Sequence, residues 1–207
     1  MFSVLADLYN RLSDYQGLEN WWEYASFDET FASNAGDYWR HQNQKYGYGD
    51  WGMWDYGFIR DLNLFIQKCE VAIEISTESK TRFLAEAKFI RAMVYFEHVK
   101  RMGGVPLILE PLEYDYSGDP TYLQYPRAKE HEVYDFVIAD MEAIKDHLPN
   151  GSTRSRATKG AALALISRAA LYAGSIANYG QLTPEVTFLG AKWEFLLEWL
   201  LDITLQR

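Results

Sequence analysis

Apolar residues recur every three or four positions in five stretches of this chain, with polar residues between them. That spacing places the apolar side chains on one face of an α-helix, so it predicts five helices. The predicted helices cover residues 2–12, 54–75, 81–102, 129–148 and 158–174. Signals for β-strands are weak, and residues 105–109 form the best short candidate. The hydrophobic pattern therefore predicts an all-α fold.

The ends of these stretches carry residues that typically begin or stop helices. Two glycines at 103–104 follow the third stretch, which is apolar on most sides and is therefore expected to lie between other helices. Thr158 is placed to cap the last helix, because its hydroxyl can accept a hydrogen bond from the backbone N–H of Gly160 or Ala161. Gly174 marks the expected end of that helix.

Two segments between the helices show no periodicity. Residues 34–53 hold four glycines among polar and aromatic residues, which favours a loop. Residues 106–126 form a second loop that is rich in proline, tyrosine and acidic side chains. Loops of this length are often functional, so contact with a ligand or with another protein is one interpretation of the second loop. We favour the other interpretation, a solvated loop that is pinned by its tyrosines.

Helix length and small residues indicate how the predicted helices pack. The last helix carries Gly160 and a series of alanines, which give it a thin profile and let a neighbouring helix approach closely. Helix pairs of this kind are typical of helical-repeat arrays, and a tetratricopeptide-like stack with long irregular loops is the expected architecture. The tetratricopeptide consensus itself is not matched, so this expectation rests on helix lengths and small-residue spacing.

Net charge and cysteine content exclude several classes of protein. The chain has 29 acidic and 20 basic side chains, and its net charge of −9 argues against nucleic acid as a partner, since phosphate binding needs a basic face. Cys69 is the only cysteine, so neither an intramolecular disulfide nor a cysteine-based zinc site can form. Its apolar helical surroundings predict a buried structural cysteine.

Signals for membrane insertion or export are missing from the sequence. No uninterrupted apolar run reaches the length of a transmembrane helix, so no membrane span is expected. The first residues lack the basic and apolar regions of a signal peptide, and no lipid-attachment cysteine lies near the start. Two explanations stay open: a cytoplasmic protein, or a chain that begins downstream of its export segment.

No constellation in the chain matches a catalytic or metal site. Asp28 and Glu29 are adjacent, so on a regular element their carboxylates point apart. The four histidines are scattered without metal-binding or triad-like spacing, and the glycines lack the Lys-Ser or Lys-Thr pair of a phosphate loop. We therefore expect no enzymatic activity, no metal and no cofactor.

Several expectations concern individual side chains of the predicted helices. Trp54 and Tyr56 begin a helix and are expected in the core. His98 lies on the most apolar helix and is expected to be a buried histidine whose hydrogen bonds are satisfied. Lys68 and Arg91 are expected to be solvated charges.

Aromatic and polar side chains are concentrated in residues 34–54. A sugar ring stacks its CH face on an exposed aromatic ring while nearby polar groups hydrogen-bond its hydroxyls, and this segment supplies both kinds of group. The candidate ligand-binding residues are Asn34, Asp37, Tyr38, Trp39, Arg40, Tyr46 and Trp51. The alternative is that these rings pack the loop onto the scaffold, since Trp and Tyr are mostly buried on average.

Three ordered blocks of the chain resemble the signature of the SusD/RagB family. The blocks are AEAKFIRAMVYFEHVKRMGGVPLI at 85–108, PRAKEHEVYDFVIADMEAIKDHLP at 126–149 and RATKGAALALISRAALYAGS at 156–175. The helix WDYGFIRDLNLFI at 54–66 is similar to a further family helix. The resemblance covers about residues 5–184.

This resemblance implies a fold, a location and an activity. The fold would be an α-helical scaffold with tetratricopeptide-like helix pairs. The protein would be a surface-exposed lipoprotein of Bacteroidota-type outer membranes that binds glycans or other nutrients and sits as a lid on a TonB-dependent, SusC-like transporter. The family catalyses no chemistry. The residues alone leave open a helical-repeat adaptor that binds a protein partner and, more remotely, a glycoside hydrolase.

Two departures from the family pattern qualify the resemblance. The lipidated cysteine and export signal of the family are absent from this chain, so attachment to the membrane would require a lipid anchor that these residues do not contain. The resemblance also fails after Thr187. We therefore expect a SusD-like helical domain, the N-terminal part of the family fold, at 1–187 and an atypical tail at 188–207. A truncated or frameshifted product and a short family member both fit this pattern.

Overall fold

The computed structural model describes residues 1–12, 53–151 and 155–179, and within these ranges the fold is built from helices and contains no strand. The helices are α1 (Phe2–Arg11), α2 (Tyr56–Val71), α3 (Thr77–Met102), α4 (Glu130–Ile144) and α5 (Lys159–Tyr179), with short 3-10 helices at Thr121–Leu123 and Lys145–His147. The all-α prediction is therefore confirmed. The predicted tail at 188–207 lies outside the described ranges.

The long helix α3 occupies the centre of the packing. It contacts α1, α2, α4 and α5, and α4 in turn packs against α5. Side chains on several faces of α3 are fully buried, including Ala87, Ile90, Val94 and Val99. A helix that is apolar on most sides must lie between other helices, which is the position that the sequence predicts for it.

Side chains at the starts of three helices satisfy backbone N–H groups that have no partner within the helix. Asp55 Oδ1 accepts from the N–H of Phe58 at 3.0 Å, at the start of α2. Ser76 caps α3 in the same way. Helix α3 therefore begins at Thr77, four positions before the start that the hydrophobic pattern predicts. Thr158 Oγ1 accepts from Ala161 N–H at 3.2 Å, so the predicted cap of α5 is confirmed.

The predicted end of α5 at Gly174 is wrong, because the helix continues to Tyr179. One glycine inside a helix costs about 1 kcal/mol relative to alanine. Side chains on both sides of it, Tyr172 and Ile176, pack partly buried against the core. Burial of that apolar surface offsets the cost of the glycine and keeps the helix intact.

By length and composition α5 could also cross a membrane. The sequence does not predict this, because polar residues interrupt the apolar run. Residues Lys159–Asn178 have a mean hydropathy of 1.4, and 33% of that window is buried in the fold. The buried share includes Ala162, Ile166 and Ala169, which face the rest of the core. The core helix of a soluble protein passes the same test, so α5 is weak evidence for a membrane span.

Glycine is required at positions 103 and 104 for two different structural reasons. Gly103 ends α3 with φ of +67°, in the left-handed region that favours glycine, and its N–H donates to Val99 O at 2.9 Å. Gly104 lies against the backbone of Ala128, where an added Cβ would come within 2.1 Å of the carbonyl oxygen. The glycine pair therefore stops the helix and lets two backbone segments meet.

Residues 105–109, the best short candidate for a strand, form no strand within the described ranges. The backbone of Ile108 is paired with a tyrosine side chain instead. The Tyr95 hydroxyl accepts from Ile108 N–H at 2.7 Å and donates to Ile108 O at 2.9 Å. Asn63 Nδ2–H also donates to Ile108 O, at 2.8 Å. Helical side chains thus satisfy polar groups that a neighbouring strand would otherwise satisfy.

Arg91 is buried, so the prediction of a solvated charge at this position is wrong. Its Nη2 lies 3.1 Å from Asp140 Oδ2 on α4, and its Nη1 donates to Asn63 Oδ1 at 3.1 Å and to Leu109 O at 3.2 Å. The guanidinium carbon lies 5.5 Å from the centroid of the Phe136 ring. Because its partners lie on other elements, Arg91 on α3 joins α2, α4 and the segment 105–109.

A second buried charge joins α1 and the segment before α5 to α3. The carboxylate of Glu86 is fully buried and accepts hydrogen bonds from Arg82 Nε at 2.9 Å, Arg156 Nε at 2.9 Å and the Tyr9 hydroxyl at 3.0 Å. The same hydroxyl accepts from Ala157 N–H at 2.9 Å, and burial raises the pKa of Tyr9. Nothing in the spacing along the sequence predicts this cluster.

Cys69 is fully buried on α2, so the predicted structural cysteine is confirmed. Burial raises the pKa of its thiol and thus disfavours the reactive thiolate.

Candidate functional site

The seven residues predicted to contact a ligand lie outside the part of the chain that the structure describes. They are Asn34, Asp37, Tyr38, Trp39, Arg40, Tyr46 and Trp51. The predicted loop at 34–53 falls almost wholly in the same interval. The role of these seven residues therefore stays a prediction. The described residues that follow them in the sequence begin at residue 53.

Trp54 lies on the surface, so its predicted place in the core is wrong. It precedes Asp55, the residue that caps α2, and therefore does not share the buried face of that helix. Its side chain is 43% exposed, and its ring stacks near that of Tyr56 at a centroid distance of 6.3 Å. Tyr56 packs against the core as predicted, and its hydroxyl donates to Pro106 O at 2.8 Å.

Arg127 also contacts the Trp54 ring. Its guanidinium carbon lies 5.7 Å from the ring centroid. The guanidinium is fixed in turn, because Nη2 donates to Met102 O and Nε donates to Gly104 O, both at 2.7 Å. A cation at these carbonyls stabilises the C-terminus of α3, where helix carbonyl groups lack partners. Trp54 is thus an exposed ring beside a rigidly held cation.

An open cleft of about 510 Å³ lies next to Arg127, between residues 102–104 and 127–130. Glu130, the first residue of α4, contributes a half-buried carboxylate, and burial raises its pKa. Across the cleft is Gly103, where an added Cβ would lie 4.0 Å from Glu130 Oε2. Within the described ranges no hydrogen-bond donor reaches this carboxylate. The cleft therefore contains an acceptor that no described residue uses, and Lys129 also lines it.

The tyrosine-rich loop is held by its own side chains, as the favoured interpretation predicts. The Tyr122 hydroxyl accepts from Asp115 N–H at 2.6 Å and donates to Glu113 O at 3.1 Å. The Tyr114 hydroxyl accepts from Gly118 N–H at 2.9 Å. These contacts fix the backbone of a loop that lies almost entirely on the surface.

Tyr116 is the most exposed aromatic residue of that loop. Its side chain is 89% exposed, and its φ of +59° is unusual for a bulky residue. The nearest ring is that of Tyr114, at a centroid distance of 5.2 Å in an edge-on arrangement. Hydrogen bonds from Ser117 lower the pKa of the neighbouring Asp115 carboxyl, so this tip of the loop carries a negative charge at neutral pH.

His98 is fully buried, as predicted, but the structure shows no hydrogen bond to it among the described residues. Neither ring nitrogen has a partner there, and the centroids of the Tyr56 and Tyr95 rings lie 5.5 and 6.0 Å from that of the imidazole. Burial lowers the pKa of His98 to about 4, so the imidazole is neutral at pH 7. Over the ranges that the structure describes, no group of three or more His, Cys, Asp or Glu side chains could hold a metal ion.

Comparison with known proteins identifies relatives of this chain. The model of a SusD-like family, described as starch-binding and associating with the outer membrane, matches residues 5–171. A SusD-like protein from Formosa agariphila is 31% identical over 146 residues, which are 70% of this chain and 27% of that protein.

Solved structures show the same relationship. A SusD-like protein from Bacteroides fragilis NCTC 9343 is 38% identical with a TM-score of 0.50, over 56% of this chain and 22% of that chain. A laminarin-binding SusD-like protein is 30% identical with a TM-score of 0.52, over 58% of this chain and 25% of that chain.

These comparisons agree with the observed helical fold and show how much of each relative the chain covers. The chain spans about a quarter of the length of the relatives that it matches. The matched residues run from α1 into α5 and include the first two blocks of the resemblance and most of the third, which extends to residue 175. Helices α2 with α3 and α4 with α5 form the tetratricopeptide-like pairs of the predicted scaffold. The chain belongs to the SusD-like family of proteins.

Proposed function

We propose that this chain binds a glycan at the surface of the outer membrane and delivers it to a TonB-dependent, SusC-like transporter. The match of residues 5–171 to a family described as starch-binding and associating with the outer membrane is the observation that carries this proposal. A relative that is named for laminarin binding supports a glycan over other nutrients. The mechanism is capture without catalysis.

The segment 34–51 supplies the proposed ligand contacts. Stacking on sugar rings is assigned to Tyr38, Trp39, Tyr46 and Trp51, and hydrogen bonding to sugar hydroxyls is assigned to Asn34, Asp37 and Arg40. Trp54 supports this assignment, because it follows Trp51 by three positions in the sequence and lies at the surface beside a fixed cation. A surface that presents rigid aromatic rings loses little conformational entropy when it binds.

Titration calorimetry and affinity gels with laminarin and starch test the proposal. We expect Trp39→Ala and Trp51→Ala each to weaken binding by about tenfold or more, which corresponds to roughly 1.4 kcal/mol. Leu171→Ala is the matched control, because Leu171 is 70% exposed on α5 and lies outside the proposed site. A wild-type chain that binds neither these glycans nor a wider panel contradicts the proposal, and so does hydrolysis of any glycan.

An adaptor that binds a protein partner is the second candidate, and the tyrosine loop favours it. Tyrosine is enriched at protein interfaces, and Tyr116 is held outward on a backbone that hydrogen bonds fix. Capture of a protein partner that is lost on Tyr116→Ala, with no glycan bound by the wild-type chain, would select this function over glycan binding.

A further inference from the structure

We infer that the outer face of α5 is a docking surface for the segment 184–205 of the same chain, which packs on it as a further, antiparallel helix. The outer face is the exposed side of α5, and it carries Leu163, Ala164, Ser167, Leu171 and Ser175. This contact would extend the helical scaffold and does not depend on glycan binding.

The outer face of α5 is partly apolar, and no described element covers it. Helix α5 packs against α3 and α4 through the side that carries Ile166 and Ala169. On a different side Leu163, Ser167 and Leu171 follow one another at four-residue spacing and are exposed, by 38% for Leu163 and 70% for Leu171. In a stack of helices, the outer face of a helix either receives a neighbour or is polar. The two leucines therefore indicate a neighbour.

The chain that follows α5 is suited to return over this face. Helix α5 ends at Tyr179, and Thr183 followed by Pro184 has the residue types of a helix N-cap and first position. A connection as short as 180–183 joins antiparallel neighbours in helical proteins. Gly190 disfavours a helix interior, but so does Gly174, through which α5 continues.

The segment 184–205 carries the pattern of a helix that has one polar side. Glu194, Glu198 and Asp202 recur every four residues and so share one helical face. The other sides are mainly apolar and include Trp193 and Trp199 among leucines. Such a helix buries its apolar sides and leaves its acidic stripe in solvent, which is the arrangement expected of a helix that covers the side of a stack.

Antiparallel pairing across this connection places large side chains opposite small ones. Both helices have the same rise per residue, so residues equally far from the middle of the connection lie at the same level. Trp199 is then level with Ala164, and Leu196 is level with Ser167. Small residues on one helix let the other approach closely, and the large side chains fill the space between them. The size pattern thus favours the segment 184–205 as the occupant.

Thiol labelling of the full chain tests the inference. Leu171→Cys and Val71→Cys are a matched pair, because Leu171 and Val71 are 70% and 71% exposed on described helices. Cys69 is fully buried, so it adds little background labelling. We expect the thiol at position 171 to react with a maleimide about tenfold more slowly than the thiol at position 71. Each rate is normalised to that of the same variant unfolded in urea.

A second substitution identifies what protects position 171. Leu196→Glu together with Leu200→Glu places charges on the apolar sides of the segment and leaves α5 unchanged. In this background we expect labelling at position 171 to become as fast as labelling at position 71, while the rate at position 71 stays constant. Circular dichroism of each variant checks that the helical fold is retained.

Three results would overturn the inference. Equal normalised rates at positions 171 and 71 in the single variants would show that the face is uncovered. Protection that survives the double glutamate substitution would show that another part of the chain covers it. Protection that disappears on dilution, together with a dimer in sedimentation, would assign the face to a second copy of the chain.

Discussion

Two glutamates in this fold have opposite surroundings. Glu86 is fully buried and accepts hydrogen bonds from two arginines and a tyrosine, at 2.9 to 3.0 Å. Glu130 is half-buried at the edge of an open cleft, and within the described ranges no donor reaches it. A buried carboxylate with a full set of partners holds elements together, whereas an accessible carboxylate without partners is available to a ligand.

The same contrast applies to the aromatic residues. Tyr95 is fully buried, and its hydroxyl hydrogen-bonds both backbone polar groups of Ile108. Trp54 contacts Arg127 and Tyr56 and still exposes 43% of its side chain. The difference separates scaffold residues whose polar groups are paired inside the fold, such as Glu86 and Tyr95, from surface residues such as Trp54 and Glu130 that remain accessible.

Replacement of Glu86 tests the scaffold side of the comparison and has the largest expected effect. Glu86→Ala leaves two partly buried arginines and a partly buried tyrosine without their acceptor and empties a fully buried site, so we expect a loss of about 3–5 kcal/mol in the free energy of unfolding. Urea unfolding followed by circular dichroism measures it. Glu130→Gln is the matched control, with an expected change below about 0.5 kcal/mol. Equal losses for the two variants would remove the distinction between the two carboxylates.

Gly104 offers a second test of the scaffold. In Gly104→Ala the new Cβ would lie 2.1 Å from Ala128 O, so one of the two backbone segments must move, and we expect a loss of about 3 kcal/mol. Gly151→Ala is the control, since nothing lies within 4 Å of its added Cβ. Denaturant midpoints compare the two variants, and an unchanged midpoint for Gly104→Ala would show that the close approach is not needed for stability.

His98 predicts a smaller, pH-dependent effect. Its pKa is about 4 in the folded chain against 6.5 ordinarily, so between these values the unfolded chain binds the additional proton and stability falls as pH falls. From pH 7 to pH 4.5 this histidine should remove about 2 kcal/mol. His98→Leu should lose that part of the pH dependence and keep the part that carboxylates cause. Unfolding curves measured at both pH values test this. An equal loss of stability between pH 7 and pH 4.5 in the wild type and in His98→Leu would contradict the assignment.

The helices follow from the sequence because apolar spacing is a local property. The pattern predicts each of α1 to α5, with errors of up to five residues at their ends, and Thr158 caps α5 as predicted. Errors arise where a distant partner decides the outcome. The partners of Glu86 and Arg91 include residues 70 and 49 positions further along the chain, so spacing cannot reveal these clusters. Residues 105–109 carry weak strand signals, but the backbone of Ile108 is paired with a tyrosine on α3 and not with a neighbouring strand.

The candidate site was only partly accessible to sequence reasoning. Aromatic composition draws attention to residues 34–54, and the structure adds that Trp54 at the end of this interval is exposed. Arg127 and Glu130 were missed, because they lie more than 70 positions away and carry no signal of their own. The proline-arginine pair at 126–127 marks one block of the family resemblance, and its structural role is to fix the end of α3 beside Trp54.

Calorimetric titration of the wild-type chain, Trp39→Ala and Trp51→Ala with laminarin and starch tests glycan capture most directly. The account predicts saturable binding by the wild-type chain and an affinity weakened by about tenfold or more in each tryptophan variant, with Leu171→Ala unchanged. Absence of binding to every glycan tested, or binding that neither tryptophan substitution alters, would contradict it.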